Sequence, residues 1–221
     1  MRRHTQLAAA ALYPPIGAEP TTVPDRAGNN DGTNNGAKVA LVDDWTGLEF
    51  DGIDFVECEN INLASGGSYT VEFFAYVNNF DTRHRFMGES SGWIVGVENQ
   101  TIDYFHWGWN QEDLVACPLQ ELFHFAAVID RDLDEGRFYL NGQIVATRSS
   151  PNERSTSAPF RLGNYLGNEN PENGFAGFLS DVRIWNIART QSAIQADMHK
   201  RLTGNEPGLV GYWPMQYGAH Q

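Results

Sequence analysis

The sequence is short of positive charge. Its 221 residues include 15 Lys and Arg against 28 Asp and Glu, a formal net charge of −13. Phosphate groups are bound through a positive field, so this balance excludes nucleic acid and an anionic membrane surface as ligands. No apolar run approaches the ~20 residues of a membrane span. We therefore expect a soluble protein with no membrane insertion.

Cysteine is also scarce. Cys58 and Cys117 lie far apart in sequence and form neither a C-x-x-C motif nor a Cys/His cluster, which excludes a zinc or redox motif. Two buried free thiols are expected, with a disulfide between neighbouring strands as the alternative. Arg2 and Arg3 precede the stretch LAAAALY, which is at the short limit for a signal peptide and does not make a convincing one.

The apolar residues recur mostly at every second position, in short runs separated by Gly, Asn, Asp and Pro. This pattern is typical of an all-β sandwich or barrel. In YTVEFFAYV, from Tyr69, alternate residues form one apolar face, whereas Glu72, Phe74 and Tyr76 form the other. With 41% hydrophobic residues, the chain can form one domain with a full core over residues 1–221.

Two local elements are predicted with defined ends. Asn141-Gly142 lies between two β-type runs and predicts a tight hairpin that pairs Tyr139 with Ile144 and Phe138 with Val145. TQSAIQADMHKRLTG predicts one surface helix, with Thr190 as N-cap and Gly204 as its end.

Five stretches resemble the LamG-like, concanavalin A-like jelly-roll family, which includes pentraxins and several glucanases. They occur in the family's order and begin at Val23 (VPDRAGNNDGTNNGA), Leu48 (LEFDGIDFVECENINLASGGSYTVEFFAYV), Phe138 (FYLNGQIVAT), Gly174 (GFAGFLSDVRIWNIARTQSAIQADMHKRLTG) and Glu206 (EPGLVGYWPM). The resemblance implies an antiparallel jelly-roll β-sandwich of two sheets, with one short helix in the C-terminal region. It leaves function open, because this sandwich supports lectins, adhesion modules, structural spacers and hydrolases.

The resemblance also implies a structural calcium ion. Many relatives hold one between the opening loop and an Asp of a late strand, which places the ligands on Asp25, Asn30 and Asp181, with Asp51 or the Gly52 carbonyl as a fourth donor. Calcium takes six to eight oxygen ligands of these kinds. The alternative is that the Asp/Asn/Gly cluster only forms turns.

A glycan-binding surface is the second candidate, because sugars stack on aromatic faces while polar groups bond their hydroxyls. In the run IDYFHWGWNQED, alternation assigns Phe105 and the two tryptophans to the core and leaves Tyr104 and His106 for a ligand, with Asn110 in the next loop. The predicted borders of this surface are Phe74, Tyr76, Arg83, His84 and Arg85. The alternative is that all these aromatics pack in the core or at its rim.

The polar loop GNYLGNENPENG, from Gly163, is a third candidate, since loops at the rim of a sandwich contact ligands. Its predicted ligand contacts are Asn164, Tyr165 and Asn168. A solvated connector is the alternative.

Catalysis is not expected. Glucanases of this fold carry an E-x-D-x-x-E pattern that is absent here, and no nucleophile or nucleotide motif occurs. We therefore expect a non-catalytic module that recognises a glycan or a glycosylated extracellular protein at an extracellular or surface location, assisted by calcium where the implied ion is bound. The alternative is a structural or adhesion subunit that binds assembly partners, and a divergent polysaccharide hydrolase is third.

Overall fold

The computed structural model describes residues 14–59, 61, 67–80, 83–88, 93–106, 109–149, 159–165 and 174–217. These ranges contain sixteen strands and one helix. In chain order the strands are β1 (Thr22–Val23), β2 (Gly32–Asn35), β3 (Lys38–Val42), β4 (Trp45–Asp51), β5 (Phe55–Cys58), β6 (Tyr69–Val77), β7 (His84–Gly88), β8 (Trp93–Glu98), β9 (Thr101–His106), β10 (Trp109–Ala116), β11 (Phe123–Asp130), β12 (Glu135–Leu140), β13 (Gln143–Ser149), β14 (Phe160–Leu162), β15 (Ala176–Trp185) and β16 (Leu209–Trp213). The helix, α1 (Gln191–Asp197), lies between β15 and β16.

The strands form two antiparallel sheets, which confirms the predicted jelly-roll β-sandwich. The first sheet has the order β1-β2-β5-β14-β7-β8-β9-β10. The second has the order β13-β12-β11-β6-β15-β4-β3, and β16 pairs with β15 beside β4. Because β15 pairs with β4 through its first half and with β16 through its second, the C-terminal strand completes the second sheet.

The core lies between the sheets and follows the predicted alternation. Val71, Phe73 and Ala75 of β6 are fully buried there. Burying a side chain such as Phe73 contributes about 1.5–3 kcal/mol. The opposite face of β6 carries Glu72 and Phe74, which are also buried. The outer side of the second sheet is therefore a second packed surface rather than a simple solvated one.

The Asn141–Gly142 turn joins β12 to β13 as predicted. Both residues have positive φ, 49° and 72°, as a two-residue hairpin turn of this kind requires. Tyr139 pairs with Ile144, which confirms the first predicted pair. A register shift then pairs Phe138 with Ala146 instead of the preceding valine, so the second predicted pair is wrong.

The helix begins as predicted but ends early. The Thr190 side chain accepts a hydrogen bond from the backbone N–H of Ala193 and caps the first turn. The helix ends at Asp197, not near Gly204. The buried guanidinium of Arg183 donates hydrogen bonds to the carbonyls of Asp197 and Lys200. In a longer helix these carbonyls would instead accept hydrogen bonds from backbone N–H groups of the next turn.

Both cysteines are buried free thiols, which confirms the expectation. Burial raises the pKa of Cys58 well above its ordinary value and that of Cys117 to about 12. Neither thiol is thus activated as a nucleophile. Among the described residues, no helix has the length and apolar character needed to cross a membrane.

Candidate functional site

A groove lies on the outer face of the second sheet, near its β3 edge. One cross-strand row crosses β6, β15 and β4, pairing Tyr76 with Phe178 and Phe178 with Glu49. Alternate residues of a strand point to opposite faces, so these three side chains point away from the core. The pairing thus places two aromatic rings and a carboxylate side by side.

Small residues form the floor of the groove. Gly47 of β4 pairs with Ala40 of β3, so neither strand projects a large side chain there. A Cβ atom on Gly47 would collide with the ring of Phe178 and with the carbonyl oxygen of Leu179. Glycine is therefore required for the Phe178 ring to lie across β4.

The groove has a volume of about 370 Å³, within the range of small-ligand sites. Its lining residues are Ala40, Leu41, Val42, Asp43, Glu49, Tyr76, Asn78 and Phe178. Leu41 and Glu49 are exposed, whereas Phe178 is buried except for 2% of its surface. A mixed lining of this kind can bind the apolar face of a sugar against a ring and its hydroxyls against carboxylate and amide groups.

A second aromatic row supports the same face. The Trp45 ring stacks on Phe74 with centroids 4.1 Å apart, and the edge of His124 meets Phe74 at 5.1 Å. Phe74 is 3% exposed, so this row is largely closed to ligand. Its contribution is to hold the sheet surface beside the groove in one arrangement.

A buried charge network continues this surface beneath α1. The Glu72 carboxylate accepts hydrogen bonds of 2.8 Å from the Trp185 indole and from Arg189, and the Arg183 guanidinium lies 3.6 Å away. Burial opposes the charged form of Glu72, but contact with His124 and the charges of Arg189 and Arg183 outweigh it and lower its pKa to about 2. The network anchors α1 on the sheet and takes no part in the groove.

The predicted position of Tyr104 on a ligand surface is wrong. Tyr104 is fully buried, its hydroxyl lies 2.6 Å from that of Tyr69, and its ring packs against Phe138. Phe105, which was assigned to the core, is only half-buried. Both faces of β9 carry aromatic residues. Alternation therefore separated the two faces correctly but could not show which of them points inward.

Three other predicted contacts have undescribed side chains. His106 pairs with Trp109 and Asn110 pairs with Phe105 in the β9–β10 ladder, but the structure describes only their backbones. Asn168 lies outside the described residues. These contacts stay predictions.

Arg83 and Arg85 belong to a charge cluster on the first sheet, not to the groove. Arg85 donates to both carboxylate oxygens of Asp103, at 3.1 and 2.9 Å, and lies 3.3 Å from Glu98. Arg83 pairs with Glu98. Burial raises the pKa of Asp103, although Arg85 opposes this. Phe74 and Tyr76, which were expected to border the same surface, belong to the second sheet.

Asn164 and Tyr165 directly follow β14, also in the first sheet. Asn164 is 5% exposed, and its side-chain oxygen accepts a 2.8 Å hydrogen bond from the Tyr165 backbone. Tyr165 is half-buried. The predicted ligand residues that the structure describes therefore belong to the first sheet, and only the predicted borders Phe74 and Tyr76 belong to the second.

Asp25 is used to shape its own loop. One carboxylate oxygen accepts hydrogen bonds from the backbones of Ala27 and Tyr212, and the other accepts one of 3.3 Å from Asn30. The Asn30 carbonyl accepts a further bond from the Trp213 indole. Backbone N–H groups thus donate hydrogen bonds to both carboxylate oxygens of Asp25. This agrees with the alternative that the Asp/Asn/Gly cluster forms turns.

The other two predicted calcium ligands lie elsewhere. Asp181 is 2% exposed and pairs with Arg183. Asp51 caps a turn, since its side chain accepts from the backbones of Ile53 and Asp54. The three predicted aspartates therefore bond other protein groups, and the structure does not bring them together as one metal-binding group. Across the described ranges, no three His, Cys, Asp or Glu residues form a group able to hold a metal.

Sequence reasoning missed most of the groove. Tyr76 was expected to border a ligand, but Phe178, Glu49, Asn78 and Asp43 were not selected. The available signal was WTGLEFD, where a glycine interrupts an alternating strand beside an Asp-Asp turn. Its meaning depends on the pairing with β15, which lies far along the chain.

Comparison with known proteins supports the same class of fold. A family model described as the concanavalin A-like lectin/glucanases superfamily (Laminin_G_3) matches residues 50–195. No curated protein matches the chain in sequence.

Similar solved structures come from several kinds of protein. A Bacteroides ovatus protein to which carbohydrate binding has been ascribed is 22% identical, with a TM-score of 0.62 over 70% of this chain and 47% of its own. Domain 4 of an extracellular GH43 arabinanase from Geobacillus stearothermophilus, in complex with arabinotriose, is 15% identical, with a TM-score of 0.61 over 81% of this chain and 98% of its own. An SAP-like pentraxin from Limulus polyphemus is 16% identical, with a TM-score of 0.53 over 67% and 77%. The chain spans less than half of the Bacteroides protein, and these identities show a shared fold.

Proposed function

Because the chain belongs to the concanavalin A-like lectin/glucanase superfamily, we propose that it is a non-catalytic module that binds carbohydrate in the groove of the second sheet. The observation that carries the proposal is the row of Tyr76, Phe178 and Glu49, which places the half-buried Tyr76 ring and the exposed Glu49 carboxylate on one surface, on either side of the buried Phe178. The ascribed activity of the Bacteroides protein and the arabinotriose bound to the arabinanase domain support it. The partner would be a glycan or a glycosylated protein at an extracellular or surface location.

The spacing of carboxylates supports a binding role rather than hydrolysis. Glycoside hydrolysis needs two carboxyl groups about 5–9.5 Å apart. Asp43 lies in the β3–β4 turn, and Glu49 lies four residues beyond the start of β4, which separates their backbones by about 14 Å along the strand. Glu57, a carboxylate of β5 in the other sheet, accepts a 3.0 Å hydrogen bond from Arg161. The proposal includes no calcium ion, because the predicted ligands do not converge.

A glycan array followed by calorimetric titration tests the proposal. Tyr76→Ala should weaken binding about two- to tenfold, since a ring stacked on its partner contributes about 0.5–1.5 kcal/mol beyond burial. Tyr165→Ala is the matched control, because it removes a half-buried tyrosine from the first sheet. Loss of binding in Tyr165→Ala but not in Tyr76→Ala would place the site on the first sheet instead. Silence across the array would favour the alternative function, a structural or adhesion subunit.

A further inference from the structure

The groove is acidic. Its described lining includes Asp43 and Glu49 and no lysine or arginine. Lys38 stands directly opposite Glu49 on β3, but its ammonium group lies 3.9 Å from the carboxylate of Glu19. Within the described residues neither groove carboxylate forms an ion pair, although Lys38 lies opposite Glu49 across the strands.

The two carboxylates lie at opposite ends of the groove. The β3–β4 hairpin has a two-residue turn, because Val42 pairs with Trp45, and Asp43 occupies its first position with φ 51°. Glu49 pairs with Lys38 near the other end of β3. A ligand that reached both would lie along the strands for about 14 Å, which suits a chain of sugar rings better than one ring.

We infer that the groove selects oligosaccharides that carry protonated amino groups, such as glucosamine oligomers, over their N-acetylated and acidic counterparts. The inference rests on the proposed function and names the ligand class of the same groove. A protonated amine can meet a carboxylate at each end of the groove, and the Tyr76 ring, which lies in the same cross-strand row as Glu49, binds the face of a sugar beside it. The net charge of −13 adds a long-range attraction for a cationic glycan and repels an acidic one.

The test titrates the full chain with glucosamine oligomers and with N-acetylglucosamine oligomers of the same length. The variants are Glu49→Gln and Asp43→Asn, separately and together. Asn tolerates the positive φ of position 43, so the turn should persist. A control with Glu121→Gln and Asp132→Asn makes the same change of net charge at two exposed residues outside the groove lining.

We expect the wild type to prefer the glucosamine oligomer, and each groove substitution to reduce that preference about two- to fivefold, as for an exposed ion pair. Added salt should weaken binding of the glucosamine oligomer more than that of the N-acetylated one. The inference is overturned if the N-acetylated oligomer binds equally well or better, or if the control reduces the preference as much as the groove variants do.

The Tyr76→Ala variant separates the two proposals. Suppose that Tyr76→Ala weakens the binding of both oligomers while the carboxylate variants leave both affinities unchanged. The groove then binds sugar without charge selection, and only this inference fails. If the wild type binds the oligomers and Tyr76→Ala changes neither affinity, the groove itself is wrong. Binding of neither oligomer by the wild type also overturns the inference.

Discussion

Replacing Glu72 with Gln should destabilise the protein strongly, although the side chain keeps its shape. Glu72 is fully buried, and its carboxylate faces Arg189 at 2.8 Å and Arg183 at 3.6 Å. The substitution removes the negative charge between two guanidinium groups that are themselves almost completely buried. The expected decrease in the free energy of unfolding comes from the uncompensated positive charge that remains buried. It does not come from a cavity.

The size of the loss follows from the partners that remain. Removing one member of a buried ion pair costs about 3–5 kcal/mol. Arg183 keeps its ion pair with Asp181, and Arg189 keeps its ion pair with Asp197. We therefore expect the free energy of unfolding to fall by about 3 kcal/mol, the lower end of that range. In a domain of this size 1 kcal/mol lowers Tm by about 2–4 °C, so the fall should be roughly 6–12 °C.

Urea denaturation and calorimetry would measure the effect, with the exposed Glu121→Gln as matched control. Since the pKa of Glu72 is lowered to about 2 in the folded state, its stabilisation is complete above its unfolded pKa of about 4.3 and is lost as pH falls towards 2. The difference between wild type and Glu72→Gln should therefore shrink in acid. A loss below about 1 kcal/mol at neutral pH, the average for any point substitution, would refute the reasoning.

Two further predictions concern other carboxylates of the protein. Burial, followed by the charge of Asp51, raises the pKa of Asp54 to about 6, so the folded state binds this proton more tightly than the unfolded state does. The Tm should therefore rise as pH falls from 7 towards 4, and Asp54→Asn should flatten that rise; an unchanged profile in the variant would contradict the assignment. We also expect the same Tm with calcium as with EDTA, because Asp25 accepts backbone hydrogen bonds and Asp181 pairs with Arg183. A ligand that binds only the folded state raises Tm, so an increase on adding calcium would reveal a site other than the predicted one.

Much of the fold could be predicted from local patterns. The positive φ values at Asn141–Gly142 and the hydroxyl cap at Thr190 depend on neighbouring residues, and both are present. The end of α1 could not be predicted in the same way. It depends on Arg183, a residue of β15 whose side chain bonds the carbonyls at the end of the helix.

The candidate site was much less predictable. Tyr104 and His106 were selected because aromatic density in β9 suggested a sugar platform, yet Tyr104 fills the core. The groove instead depends on Gly47, Phe178 and Tyr76, which come from three strands and become neighbours only in the second sheet.

The sequence by itself determined the β-sandwich class, the principal hairpin and the start of the helix, because alternation and turn chemistry are properties of short segments. Only the tertiary structure decided which face of β9 is buried, that the predicted calcium ligands are separated, and that rings and carboxylates meet beside β3. The physical reason is that alternation separates two faces without saying which one packs inward. A binding surface on a sheet is built from cross-strand neighbours, and their pairing is set by the packing of the whole sandwich.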